Sequence, residues 1–490
     1  MVACVVCARI SWAQTSAPPP SATAPASVAS PSAAPGSTIF LAENVTRAEL
    51  WRYFQPQRGG GANPDYTFVG TRFTLGSTYR GSRWSADGAL QYVRLDNLPT
   101  GSTGPGFFGN GGAYFFQASG RFSYQFYLRR LALGWRDRAS GVWVEGGRLS
   151  RAAGTEASSG DATIDRLVAE ELNGRLLGDA EWSFYQRAWD GARGGVARGG
   201  VTATLTAAVP TQGTFEESAN LPIDRVRVAA LEVVVAPGRL VPRTRVEAFA
   251  MLYDDRRRVS GRPDNAARDP GARAVDVQVT TAGASLGGAY PSRWGRSDVT
   301  AWVAAQTGAW YAHAHRAVAA TASAGHRVTG VVWRPWLRAG TVWASGDRNP
   351  TDDRHGTFFP MLPSSDRVSR LNAYALMNVA DHWATLEIAP HAALDLTAGV
   401  HRVSLATGAD RWYQGSGASQ QAGSYFGFLG FPTRGAERIG TVVEANVTWR
   451  ARRWWTVRGY VGRIAGGDVV AQSFAGRRLV SGWLESTLRF

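Results

Sequence analysis

Taken two residues at a time, the stretch RRLVSGWLESTLRF (477–490) separates into two faces. Val480, Gly482, Leu484, Ser486, Leu488 and Phe490 fall on one side, and Ser481, Trp483, Glu485, Thr487 and Arg489 on the other. A period of two with one apolar and one mostly polar face is the mark of a half-buried strand. A strand that ends on Phe490 is the form expected of the closing strand of an outer-membrane barrel, and equally of the last strand of a soluble sandwich. Eighteen runs of this kind can be placed, at approximately 44–56, 65–80, 84–96, 121–136, 141–151, 181–195, 199–211, 224–237, 243–256, 273–288, 296–311, 314–327, 333–346, 371–388, 391–407, 437–450, 453–466 and 477–490.

The segments between the runs alternate in length. The odd connectors include 57–64, 152–180, 212–223, 257–272, 347–370 and 408–436, with one short exception near His313, whereas even ones such as 81–83, 137–140 and 451–452 are a few residues each. Long loops at one end and tight turns at the other describe an outer-membrane barrel with both chain ends in the periplasm. A sandwich has no reason to keep that alternation through eighteen strands. The expected fold is therefore an all-β transmembrane antiparallel barrel of about 18 strands, with long extracellular loops and short periplasmic turns.

The two faces of each run say which side is lipid. In 121–136, Phe122, Tyr124, Phe126 and Leu128 oppose Arg121, Ser123, Gln125, Tyr127 and Arg129; in 441–450, Val443, Ala445, Val447 and Trp449 oppose Glu444, Asn446, Thr448 and Arg450. An arginine on the lipid face costs about 2–4 kcal/mol at the bilayer midplane, so the polar face belongs to the lumen. Alternation then points Arg47, Arg72, Arg121, Arg129, Arg187, Arg193, Arg338 and Arg458 inward, with Glu49, Glu145, Asp190 and Glu444 as acids that keep them apart. Trp51, Trp84, Trp135, Trp333, Trp343, Trp454 and Trp455 stand near run ends, where interfacial aromatic girdles form.

Composition supports a membrane barrel with an anionic partner. The 490 residues hold no stretch of the roughly 18–20 apolar residues that a spanning helix requires. All 53 basic residues are arginine against 38 acids, a balance of +15. Arginine keeps its charge and grips carboxylates in a bidentate fork. The only cysteines, Cys4 and Cys7, lie in MVACVVCARISWA (1–13), which has the look of a signal peptide whose true start lies further upstream; no partner ligands accompany a CxxC metal or redox reading. Residues 14–43 open with an Ala/Pro/Ser-rich flexible leader, leaving 44–490 for the barrel.

No catalytic set emerges: there is no GxSxG, Walker loop or HExxH, and no cofactor is expected. His313 and His315 could share a strand face as metal ligands but lack a third, and Asp347, Asn349, Asp352 and Asp353 offer oxygens that could hold calcium without the spacing of an EF-hand. Nucleic acid is a poor partner for a secreted barrel.

Several pieces resemble the alginate export family of outer-membrane barrels. They are Arg47, Glu49, Arg52 and Tyr53 with Arg72; Gly146–Arg148; NGRLLG from Asn173 leading to Trp182, Arg187 and the DGAR of Asp190–Arg193; ASGD at Ala344–Asp347; and HGTFFP at His355–Pro360. The resemblance implies an eighteen-stranded pore in the outer membrane whose arginine-rich constriction conducts an anionic polysaccharide outward under gating loops; it places Arg148 in the lumen, whereas alternation places that residue nearer the outward side, and a bulge would reconcile the two. It also implies a periplasmic polysaccharide-export scaffold as partner; the expected oligomeric state is a monomer. Asp353-Arg354 before His355, where Gly and Lys are expected, and Met361-Leu362-Pro363 in place of Leu-Phe-Pro depart from the family pattern and leave the polymer's identity open. The rival readings are a general or anion-selective porin, an outer-membrane lipase, deacylase or protease, and a purely structural or adhesive barrel.

Overall fold

The computed structural model describes residues 36–490 apart from 58–62, 105–108, 152, 154–157, 216–217, 261–263, 265–273, 365–368, 420 and 425–426. The signal-peptide reading, and the leader as far as residue 35, lie outside the described residues. Alternating sequence becomes wall: β1 (Ser37–Arg52), β2 (Asp65–Arg80), β3 (Trp84–Asp96), β4 (Phe122–Arg136), β5 (Val142–Leu149) and β6 (Trp189–Arg198) follow one another around it. Next come β7 (Val201–Pro210), β8 (Val226–Val235), β9 (Thr244–Asp255), β10 (Val277–Ser292), β11 (Gly295–Trp310) and β12 (His313–Val328). The circuit ends with β13 (Trp336–Ala344), β14 (Val379–His391), β15 (Leu394–Ser404), β16 (Arg438–Arg452), β17 (Trp455–Gly466) and β18 (Arg478–Arg489). Each pairs antiparallel with the next, and β18 returns to β1 in the register Glu43↔Arg489 to Arg52↔Val480, so eighteen strands close with no free edge. Closure matters because an unpaired backbone edge in hydrocarbon costs several kcal/mol per group.

The faces follow the pattern read from sequence. Leu484 and Phe490 are exposed on the outside, while Ser481, Glu485 and Thr487 are buried toward the lumen. Outward aromatics gather at strand ends: Trp84, Trp333 and Trp454 on the turn side and Trp343 on the loop side are all exposed. Trp51 is a correction. It lies inside, 3% exposed, its indole N–H donating to Glu49 Oε2 at 3.1 Å.

Other boundaries differ for physical reasons. β1 begins at Ser37, so 37–43 belong to the wall and pair with β2, because Phe40 and its neighbours still alternate. Residues 181–188 are not strand: Phe184 and Tyr185 are buried inside the barrel, on the long β5–β6 connection, rather than set against lipid. In β4 the register shifts between Ala89↔Arg130 and Leu90↔Leu128, a bulge at Arg129 that turns two consecutive arginines away from lipid.

The connections between β1–β2, β9–β10, β13–β14, β15–β16 and β17–β18 fold over the extracellular mouth. A small sheet of Trp412–Gly415 with Phe428–Phe431 meets Phe474 of the loop after the short helix Asp468–Ser473, and Phe474 packs on Tyr53 and Phe54 with ring centroids 5.6 and 5.4 Å apart. Phe358, Phe359, Met361 and Leu362 are fully buried beneath them. The result is a hydrophobic lid within one end of the cylinder.

Candidate functional site: a charged lumen crossed by its own loop

The β5–β6 connection (150–188) enters the lumen. It carries a short helix (Ala162–Leu167), capped by the Asp161 carboxylate on the amides of Thr163 and Ile164, and a π-turn (Val168–Leu172). On one wall, four successive carbonyls are held by side chains of four successive strands. Arg47 Nη2 donates to Trp182 O at 2.7 Å, Arg72 Nη1 to Ser183 O at 3.3 Å, Gln91 Nε2 to Phe184 O at 3.2 Å and the Tyr127 hydroxyl to Tyr185 O at 2.5 Å. A Cβ on Gly70 would overlap the Phe184 ring, so only glycine lets that ring lie against β2.

Across the lumen the same loop is bound by β11–β14, about half a circuit away. Glu171 accepts from Thr300 Oγ1 at 2.8 Å and Ser323 Oγ at 2.9 Å and pairs with Arg338. Arg166 forks onto Glu387 at 2.9 and 2.5 Å, and Asp161 pairs with Arg296 next to the periplasmic turn of β10–β11. The loop is thus a chord from wall to wall, reaching nearly to the periplasmic rim.

Beside the chord lies a cavity of about 290 Å³ lined by Arg47, Glu49, Arg72, Arg338, Glu444 and Arg458 from the expected set, together with Arg166, Glu170, Glu171, Arg370, Glu387, His401 and Glu485. Trp182, Trp336, Trp383 and Trp483 supply its flat surfaces. Its guanidiniums have carboxylate neighbours: Arg47 stands 2.8 Å from Glu49 and 3.5 Å from Glu485, Arg338 2.9 Å from Asp298, Arg72 3.8 Å from Glu43, and Arg458 pairs with Glu485. His401 Nδ1 lies 2.9 Å from Asp381 and Nε2 3.6 Å from Glu444. The lumen therefore alternates in charge, with Glu171, Asp298, Glu387 and Glu485 joining the expected acids Glu49 and Glu444.

The remaining expected residues are elsewhere. Arg129 faces inward, donating to Gln186 Oε1 at 3.2 Å while its buried Nη1 has no acceptor, and Arg193 pairs with Glu145 on the lumen face; none of the three lines the cavity. Arg121 precedes β4 and is exposed at the rim, bound to Asn97 Oδ1 at 2.6 Å. Arg148 and Asp190 correct the lumen assignment implied by the resemblance for Arg148 and by alternation for Asp190. Arg148 is in register with Leu131, which is exposed on the outer wall, and the two charges neutralise each other through bonds of 2.7 and 2.6 Å.

Arg187 is buried and off any strand. Its Nη atoms donate to the carbonyls of Gly178 and Leu362 at 3.0 and 3.2 Å and of Ser416 and Ala418 at 3.4 and 3.3 Å, which ties the chord to two lid loops. Burial pushes its guanidinium down to about 10. The oxygens weighed for calcium serve local turns: Asp347 Oδ1 accepts from Asn349 N, Asn349 Oδ1 from Thr351 Oγ1, and Asp352 Oδ1 from Arg354 N. His313 and His315 are both buried, and His315 Nδ1 meets His355 Nδ1 at 2.9 Å. Among the described residues no three His, Cys, Asp or Glu side chains converge as a metal group.

Alternation could have found Asp298 and Glu387, which sit at lumen positions of recognised strands. Arg166 and Glu171 carry no periodic signal, since only the path of the chord brings them to the wall.

A family model described as "Alginate export" matches residues 139–474. No curated protein matches the sequence. Among solved structures, the fold is similar to OccK9 (OpdG) of Pseudomonas aeruginosa (TM-score 0.56, 12% identity, 92% of this chain and 98% of that one) and OccAB4 of Acinetobacter baumannii (0.55, 7%, 92% and 97%). It is also similar to P. aeruginosa OccK2 (OpdF) solved in complex with glucuronate (0.53, 9%, 92% and 97%).

Proposed function

The chain belongs to the alginate export family of the outer membrane, and we propose that it conducts an anionic polysaccharide outward through its lumen once the β5–β6 chord yields. The observation that carries this reading is the pairing inside the cavity. Arg47, Arg72, Arg166, Arg338 and Arg458 are each presented there with a carboxylate at ion-pair distance, and a uronate on a passing chain has the same charge and the same two oxygens as the glutamate it would replace. Exchange keeps the guanidinium and the uronate paired, and the displaced carboxylate falls back on a second arginine, as Glu485 already lies between Arg47 and Arg458, which avoids the several kcal/mol of an unpaired ion in a narrow bore. Trp182, Trp336, Trp383 and Trp483 offer apolar faces to sugar rings between the charged positions. The acids also keep any one guanidinium from holding the polymer too tightly to release it.

A second reading, a substrate-selective porin for small anions, is favoured by the cavity's size. About 290 Å³ stands just below the roughly 300–1,000 Å³ typical of small-molecule sites, enough for a single sugar-sized anion. The glucuronate-bound neighbour points to the same chemistry at the scale of a single sugar. Planar-bilayer recording separates the two. A polymer conduit shows ionic current blocked by uronate oligomers with potency rising with chain length, and not by neutral glucan oligomers of equal length. Equal block by monomeric glucuronate and by the oligomers assigns the protein to the small solute, and no block by either refutes both.

A further inference from the structure

The sequence puts an exposed arginine in six of the eight periplasmic turns: Arg83, Arg138, Arg239, Arg293, Arg334 and Arg453. Asp137 is the one acid in those turns, and its carboxylate is occupied by its own turn, accepting from Ser140 Oγ at 2.6 Å and Ser140 N at 3.1 Å. None of the six is among the ion-paired arginines of the described residues. The opposite face differs, because exposed arginines there stand among the exposed acids Asp224, Asp353, Glu437 and Asp468. Charge is therefore polarised along the barrel axis.

Adjacent turns are two strands apart, roughly 10 Å along the rim, which equals about one Debye length at 0.1 M salt. At that spacing the fields of neighbouring guanidiniums merge along Arg83 and Arg138 and along Arg239, Arg293 and Arg334, with Arg453 between these arcs, so the rim carries a positive ring interrupted at the two turns without arginine and at the β18–β1 seam. The ring joins the lumen through Arg296, the second residue of β11 and paired with Asp161 of the chord, and through Arg327, paired with Glu387 at 3.1 Å.

We infer that this ring is a capture collar, which draws the uronate-bearing chain from the periplasm onto the mouth before any residue of the lumen touches it. The inference rests on the proposed substrate class and adds the site and direction of first contact. Its chemistry is long-range attraction of a polyanion, which raises association by tenfold or more at low salt and fades as salt screens it. Exposed guanidiniums outside any ion pair bind reversibly, as a chain that must move on requires.

The test measures binding of a defined-length uronate oligomer to the full detergent-solubilised protein, with heat-modifiable electrophoretic mobility verifying that each variant is folded. At about 0.05 M salt, the variant R239Q/R293Q/R334Q/R453Q is expected to lose roughly tenfold in affinity. A loop-side variant with the same charge change, R354Q/R434Q/R438Q/R478Q, is expected to stay within about twofold, and the difference is expected to collapse near 0.5 M salt. Equal losses in the two variants, no loss in the turn variant, or no binding by the native protein overturns the collar. So does a turn variant that loses affinity only for vesicles of anionic phospholipid, which would assign the arginines to the membrane. Binding that follows the collar without blockade of current overturns the conduction reading alone; blockade that ignores the turn substitutions overturns the collar alone.

Discussion

Asp347 and Arg187 show how burial treats charge in the lid. Asp347 is 4% exposed, its Oδ2 has no partner, and its amide donates to Asp410 Oδ2 at 2.8 Å. Burial, reinforced by Asp410, raises the Asp347 carboxyl to about 6, and burial raises Asp410 as well. A carboxyl raised in the fold favours the protonated state, so its contribution to stability is complete below about 4, its unfolded value, and is lost as pH rises through about 6. The lid is accordingly expected to become more protease-sensitive between pH 4 and 7, and Asp347→Asn to abolish most of that rise while leaving pH 4 behaviour unchanged. A variant with the native pH profile would show that another group controls the lid. Arg187 was read as a pore residue because alternation treats a charged side chain within a periodic run as lumen-facing. Its actual partners are backbone carbonyls of loops far away in sequence, which residue identity does not reveal.

Among the elements, strands were legible and the chord was not. A strand in lipid must alternate, so Leu484 and Glu485 declare their faces locally. The segment 181–188 imitates that signal, because Phe184 and Tyr185 are buried against the inner wall as completely as core strand residues would be. Only the four carbonyl bonds from β1–β4 distinguish it. What holds the far end is concentrated at Glu171, which serves Arg338, Thr300 and Ser323 together. Hydrogen bonds to a charged group contribute about 1.5–3 kcal/mol each, and Arg338 keeps Asp298 when Glu171 is removed. Glu171→Gln should therefore free the chord locally by about 2 kcal/mol and leave the barrel intact. Limited proteolysis within 150–188 is expected to accelerate by one to two orders of magnitude with no change in heat-modifiable mobility. Unchanged cleavage would place the anchor elsewhere.

For the molecule as a whole, the closed cylinder follows from arithmetic that the sequence displays: eighteen alternating runs, long and short connections in turn, and a last strand that pairs with the first. The bore's charge was only half legible, since the arginines are visible along the chain but the carboxylates that balance them arrive partly on a loop. Closure by that loop is the central claim, and ionic conductance tests it most directly. In planar bilayers the native protein is expected to show small, infrequent openings, and a variant with residues 158–186 replaced by a short Gly-Ser linker a large, steady conductance. A native channel that already conducts as fully as the shortened one would contradict the plugged lumen.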